Sequence, residues 1–385
     1  MTNTKPVFHG SDIEKISEYY HIDQNSITNF AGNVNPLGLS PSVKEAVAAH
    51  VDLFSSYPDR DYKSLRNTIA EYCDVPADFI LPGNGSSELI SLLIETRAPK
   101  RTLILGPTYS EYSRELSFSG STQDYYHLQE AEDFELDVED LCRTLLNGYD
   151  FLILCNPNNP TGALYPKEVL QQIVDLAREH QLMIFSDEIY DRLVMDGLEH
   201  ISIASLAPDL FCVTFSGLSK SHMIAGWRVG WMVLSGNKRL AKDYIEGLNM
   251  LANMRMCSNV PAQSVVQTAL GGHQSVKDYL VPGGRIYDQR ELVYNMLNDI
   301  PGITAVKPKA AFYIFPKIDV KKFNIHSDEQ FALDLLHDKH ILISHGGAFN
   351  WQEPDHFRVV YLPRISMLKE TIGEIGDFFS TYWQA

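Results

Sequence analysis

Short apolar runs that alternate with helical stretches constrain this chain more tightly than anything else in it. The runs fall at residues 102–105, 151–154, 182–185 and 211–215, each bounded by Gly, Pro, Asn or Asp. Around them, the spacing of apolar residues predicts helices over 41–51, 63–72, 86–96, 109–116, 138–145 and 167–180. Strands separated by helices make a mainly parallel sheet, because each parallel crossover needs a covering helix. Ligands on such a sheet sit beyond the carboxyl ends of the strands. The residues that follow each apolar run are therefore expected to converge.

After residue 234 the pattern becomes mixed. Helices are expected over 239–250, 285–297 and 328–337, and strands over 311–318, 341–344 and 356–362. The expected fold class is α/β. A large domain, residues 41–270, would hold a mainly parallel central sheet flanked by helices on both faces. A smaller α+β domain would combine residues 1–40 and 271–385.

Composition narrows the partners. The net charge of −17 disfavours nucleic acid and anionic membrane surfaces. The five cysteines are odd in number and widely spaced, with no CxxC, which argues against a disulfide framework or a metal site. The first ten residues lack an apolar signal core. No apolar run reaches the ~18 residues of a membrane helix. A cytoplasmic protein is expected.

The strand ends carry the chemistry. In ILPGNGSSELI, Gly83 and Gly85 open the backbone just before Ser86 and Ser87 start a helix, an arrangement that suits a phosphate. GPTYSEY offers Tyr109 as a plate for a flat ring, and CNPNNPTG offers Asn159 as an amide donor. In SDEIYD, Asp187 follows four apolar residues, so its carboxylate is expected to be buried and to want a cation; Tyr190 lies on the same side of the turn. SGLSKSHMIAGWRVGW places Lys220 after the next run and Arg228 eight residues later. Desolvation lowers a lysine pKa, and a neutral amine attacks carbonyls. Each motif has an ordinary structural reading, as a cap, a turn, a packed aromatic or a salt bridge. Together they describe a site for pyridoxal 5'-phosphate, which carries both an aldehyde and a phosphate.

NNPTG, SDEIYD and SGLSKSHMIAGWRVGW, in this order, resemble the pyridoxal-phosphate-dependent aminotransferases of the aspartate aminotransferase superfamily over nearly the whole length. From about Cys155 onward, YIEGLNML, PGGRIYDQR and PDHFRVVYLPR are similar to bacterial alanine (glutamate–pyruvate) aminotransferases. HGSDI, NFAGNVNPLG and YPDRDY are similar to histidinol-phosphate aminotransferases and threonine-phosphate decarboxylases. The resemblance implies that Lys220 joins the cofactor's aldehyde, that Asp187 faces the ring nitrogen, and that Tyr190 and Asn159 contact the phenolic oxygen. Tyr109 would stack on the ring, while Gly85, Ser86, Ser87, Ser219 and Arg228 hold the phosphate. It also implies a homodimer in which Tyr57 reaches the neighbouring cofactor and Ser258 and Asn259 lie near the interface. Arg358 would bind the substrate carboxylate, facing the backbone of Gly32.

Two departures stand out. No tyrosine-and-arginine arm precedes the glycine loop, and His345 stands where the alanine enzymes usually have glutamine. His345 and Arg364 read as structural, with substrate contact as the alternative. The expected activity moves an amino group between a small, alanine-like L-amino acid and a 2-oxo acid such as 2-oxoglutarate. The alternative is a decarboxylase or lyase on the same parts, to which His9 gives weight. A cofactor-sensing regulator would need a basic helix-turn-helix, which the chain lacks.

Overall fold

The structure, a computed structural model, describes residues 12–59, 61–254 and 257–385. Seven strands form the central sheet: β1 (Ile80–Gly83), β2 (Arg101–Gly106), β3 (Thr122–His127), β4 (Phe151–Cys155), β5 (Met183–Asp187), β6 (Cys212–Gly217) and β7 (Gly230–Ser235). Their order is β1-β7-β6-β5-β4-β2-β3. Only β7 runs against the others.

Alternation along the strands supplies two cores. Leu103, Leu105, Leu152, Leu154 and Ile184 pack on one face against Leu141, Leu170 and Ile173 of helices Val138–Leu145 and Lys167–Glu179. Ile104, Phe151, Ile153, Phe185 and Val213 pack on the other against Leu89 and Leu93 of helix Ser86–Arg97 and Leu248 of helix Lys238–Met254. These strands are apolar on both sides because both sides are covered. Each such side chain contributes about 1.5–3 kcal/mol relative to exposure.

Register aligns the strand ends. Asp187 pairs with Cys155 on one side and Phe215 on the other, so β4 and β5 end at one level while β6 continues through Ser216 and Gly217 before its turn. At the antiparallel edge Gly83 and Gly217 both pair with Gly230. A Cβ at Gly230 would lie 2.5 Å from the Ser86 nitrogen, so a side chain there would displace the start of helix Ser86–Arg97.

The remaining strands are short. Thr28–Asn29 pairs in parallel with Ile341–Leu342, and Phe357–Val360 lies between Tyr313–Ile314 and Ser344–His345. Ile303–Thr304 pairs with Lys317–Ile318. Their side chains share a core with helices Arg285–Asn298, Asp328–Lys339 and Ile365–Thr381.

Three local differences from the sequence reading have physical causes. The strand expected over 311–318 is broken into Tyr313–Ile314 and Lys317–Ile318, because Pro316 has no N–H to extend a ladder. The helix expected from residue 109 starts at Glu111, leaving Tyr109 in the turn before it. β3, TQDYYH, has no expected counterpart; as an outer strand it is largely polar and only partly buried. No described helix is long and apolar enough to cross a membrane. The five cysteines are free thiols.

Candidate active site

The turns after the parallel strands enclose a cavity of about 350 Å³. Ser86, Ser87, Tyr109, Asn159, Asp187 and Tyr190 line it, as do Gly32, Ser219, Lys220, Arg228 and Arg358. The convergence expected from the apolar runs is therefore what the fold produces.

At one end lies the glycine turn. Gly85 adopts φ +89° as it enters helix Ser86–Arg97, and a Cβ there would sit 2.4 Å from Arg228 Nη2. The guanidinium thus lies directly over the turn, beside the positive end of the helix. Glu88 folds back to accept from Asn84 N at 2.7 Å and Asn84 Nδ2 at 3.2 Å, in the manner of a capping box.

Lys220 and Asp187 occupy the middle. Lys220 sits in the single helical turn Leu218–Ser221 that follows β6. Its side chain lines the cavity. Burial, with the Arg358 and Arg228 charges, brings its pKa down to about 8, against an opposing pull from Asp187. Asp187 is 5% exposed. It accepts from Tyr112 Oη at 2.5 Å and from Ile189 N at 3.1 Å, and has no ion-pair partner among the described residues. Burial raises its pKa; those two donors and the Lys220 charge oppose the rise.

The turn after β4 divides its three asparagines. Asn156 Oδ1 accepts from Tyr165 N, while Asn158 accepts from Thr161 and donates to Pro107 O. These two hold the turn. Asn159 Oδ1 accepts from Arg358 Nη1 at 2.9 Å, which leaves the Nδ2 end as its donor. Arg358 Nη2 donates to Ala31 O at 2.8 Å, and its guanidinium lies between the rings of Phe349 (4.7 Å) and Tyr313 (5.1 Å). Arg358 Nε is buried without a hydrogen-bond partner among the described residues. Tyr190 packs edge-on against Tyr313, and burial holds its hydroxyl proton well above the usual phenol range.

Some expected residues lie elsewhere. Tyr57 is 80% exposed and outside the cavity wall. His345 turns toward Asp328, with Nδ1 at 3.3 Å from Oδ2, so its ring is not part of the wall. Arg364 is exposed at the start of the last helix. Asn259 caps helix Val260–Gly271 and donates its N–H to Asn84 Oδ1, and Ser258 N donates to Tyr62 Oη. His9 lies outside the described residues. The wall also contains residues the sequence reading did not single out, notably Tyr112, Ala31, Val34, Ala348 and Phe349. Tyr112 had a readable signal, one helical turn beyond Tyr109. Ala31 and Phe349 had none.

Comparison with known proteins bears on this arrangement directly. The model of the family described as aminotransferase class I and II matches residues 25–374, so the chain belongs to that family and is an aminotransferase. Within the family it is 48% identical to the glutamate–pyruvate aminotransferase AlaA of Haemophilus influenzae, across 92% of this chain and 90% of that protein. It is 47% identical to the Escherichia coli AlaA over 81% of this chain and 77% of that protein, and 42% identical to a Mycobacterium tuberculosis alanine aminotransferase over 89% and 77%. A crystal structure of an Escherichia coli aminotransferase superposes with a TM-score of 0.92 at 40% identity, covering 100% of this chain and 99% of that one. The Thermus thermophilus aspartate aminotransferase shares the fold, with a TM-score of 0.84 at 23% identity over 97% of each chain.

Proposed function

We propose that this aminotransferase uses pyridoxal 5'-phosphate to move an amino group between a small, alanine-like L-amino acid and a 2-oxo acid, with 2-oxoglutarate as partner. One observation carries the reading. A buried carboxylate with no ion-pair partner among the described residues, Asp187, shares a cavity with an amine whose pKa is depressed to about 8, Lys220. A protonated ring nitrogen would satisfy the first, and an aldehyde would engage the second. The Gly85 turn, with Ser86, Ser87, Ser219 and Arg228, suits the phosphate. Tyr109 would meet the ring face, and Tyr190 and Asn159 the phenolic oxygen; that all three line the same cavity supports these roles.

When bound, this cofactor supplies an aldehyde for the amino group and a ring that spreads the electron pair left at the substrate Cα. The chain does the rest. Lys220 Nζ takes the Cα proton and returns it on the other side of the exchange. Asp187 would present its carboxylate to the ring nitrogen, with Tyr112 and Ile189 N donating to it. Arg358 would bind the substrate carboxylate in two-point fashion and, tied to Asn159, would hold the substrate Cα in one orientation. Gly32 offers backbone to the same carboxylate. Val34, Ala348 and Phe349 make an apolar wall where the substrate side chain would lie, which favours a short, uncharged one. The alanine-directed names of relatives at 42–48% identity support this choice.

A homodimer, with Tyr57 of each chain extended toward the neighbouring site, completes the reading; the high exposure of Tyr57 supports it. So does a division into residues 41–270, which contain the whole central sheet, and residues 1–40 with 271–385. The decisive assay gives purified protein L-alanine and 2-oxoglutarate with pyridoxal 5'-phosphate. Pyruvate and glutamate are expected in equal amounts. Release of an amine and carbon dioxide instead would overturn the aminotransfer reading in favour of decarboxylation.

A further inference from the structure

Tyr112 is the fully buried aromatic on which the Asp187 carboxylate rests. Its ring packs edge-on against Phe185 at 5.4 Å and against Tyr109 at 5.6 Å, and neither ring contact needs its hydroxyl. The hydroxyl proton is spent on Asp187 Oδ2 at 2.5 Å, while Ile189 N holds Oδ1 at 3.1 Å. Two donors on two different oxygens fix the plane of the carboxylate and leave each oxygen further lone pairs facing the cavity. They also favour its charged form, against the larger opposing effect of burial. A carboxyl group in a buried site tends to take up a proton, and donors directed at the charged form oppose that. Burial and the adjacent Asp187 keep the phenol protonated, so it acts as a donor throughout the working pH range.

We infer that Tyr112 is a positioning residue that, through Asp187, makes the site select a heterocycle with a protonated ring nitrogen over a carbocycle of the same shape. The inference rests on the cofactor reading above and adds to it the group responsible for nitrogen selectivity. The same phenol also joins the two features that would contact the ring, because Tyr109, the face-on plate, leans on the Tyr112 ring. One side chain therefore sets both the plate and the carboxylate.

The test compares pyridoxal 5'-phosphate with its 1-deaza analogue, in which C–H replaces the ring nitrogen, by titrating each into cofactor-free protein. Wild type is expected to prefer the nitrogen compound. Tyr112→Phe keeps both ring contacts and removes the hydroxyl, which also meets the Cys155 thiol, and should reduce that preference about tenfold, the size expected for one hydrogen bond to a buried charge. Binding of the deaza analogue should scarcely change. Equal weakening of both compounds would mark Tyr112 as packing only and overturn the inference. Failure of wild type to bind either compound would overturn the cofactor reading, and this inference with it. If Tyr112→Phe alone does not fold, the pair Tyr112→Phe/Asp187→Asn decides. Restored folding supports a phenol that serves the buried charge, and persistent misfolding overturns it.

Discussion

The two walls of the cavity are held by different kinds of structure. The wall bearing Lys220, Asp187 and Asn159 hangs from the ends of parallel strands that are five or six residues long and locked by continuous ladders. The wall bearing Arg358 is built on short strands, with only Ser344–His345 and Tyr313–Ile314 beside Phe357–Val360. Side-chain bonds close it instead: Arg358 to Ala31 O, 327 residues away, and to Asn159 on the opposite wall. A rigid ladder suits groups whose positions decide chemistry, since small displacements there are costly in rate. A wall joined by a few side-chain bonds can be changed without disturbing the sheet. The two walls should therefore fail in different ways when mutated.

The largest effect is expected on the rigid wall. Lys220→Ala should lower turnover with alanine by about 10³-fold or more, the scale of a lost general acid–base group, with thermal stability retained. Turnover within tenfold of wild type would remove this wall from the chemistry. Next in size is Arg358→Lys, which keeps a charge and loses the two-point geometry. The expected result is about a hundredfold loss in kcat/KM for the amino acid, with cofactor affinity unchanged. If cofactor affinity fell in parallel, the two walls would not be separable units and the contrast would break.

A pH experiment sharpens the rigid wall alone. The Lys220 pKa is lowered to about 8, so the neutral amine grows as pH rises toward that value and saturates above it. Capture of pyridoxal 5'-phosphate by cofactor-free protein should accelerate about tenfold between pH 7 and pH 9, followed by rapid-mixing absorbance. A profile still climbing steeply above pH 9 would mean that burial and the two guanidiniums do not depress this amine.

The same contrast governs what could be read from sequence. Lys220, Asp187 and Asn159 were legible because each sits a few residues after an apolar run, and parallel topology carries such positions to one edge. Arg358 was reached through resemblance rather than spacing, since nothing near FRVV marks which residue it will meet. The Ala31 carbonyl was invisible for the same reason, since its partner Arg358 lies 327 residues along the chain; the Phe349 ring lies close to Arg358 in sequence, but its meeting with the guanidinium is set by tertiary folding. β3 was missed because an outer strand with polar residues lacks the apolar signature of a covered one. Pro316 could have been used to split the 311–318 strand, since it cannot donate to a ladder.

The smallest effect tests whether the loosely joined wall has any order of its own. Phe349 belongs to the turn Gly346–Phe349; its carbonyl accepts from Thr108 N at 3.0 Å, and its ring lies 4.7 Å from the Arg358 guanidinium. Phe349→Leu keeps an apolar side chain and the backbone bond but removes the aromatic face. A cation–π contact in a partly desolvated site is worth about 1 kcal/mol, so KM for the amino acid should rise about fivefold with kcat nearly constant. That split is expected from geometry, since the contact of the ring is with the Arg358 guanidinium, the group proposed to bind the substrate carboxylate. A fall in kcat with KM unchanged would place Phe349 with the rigid wall, and the Thr108 bond would then be the link through which the sheet extends its control across the cavity.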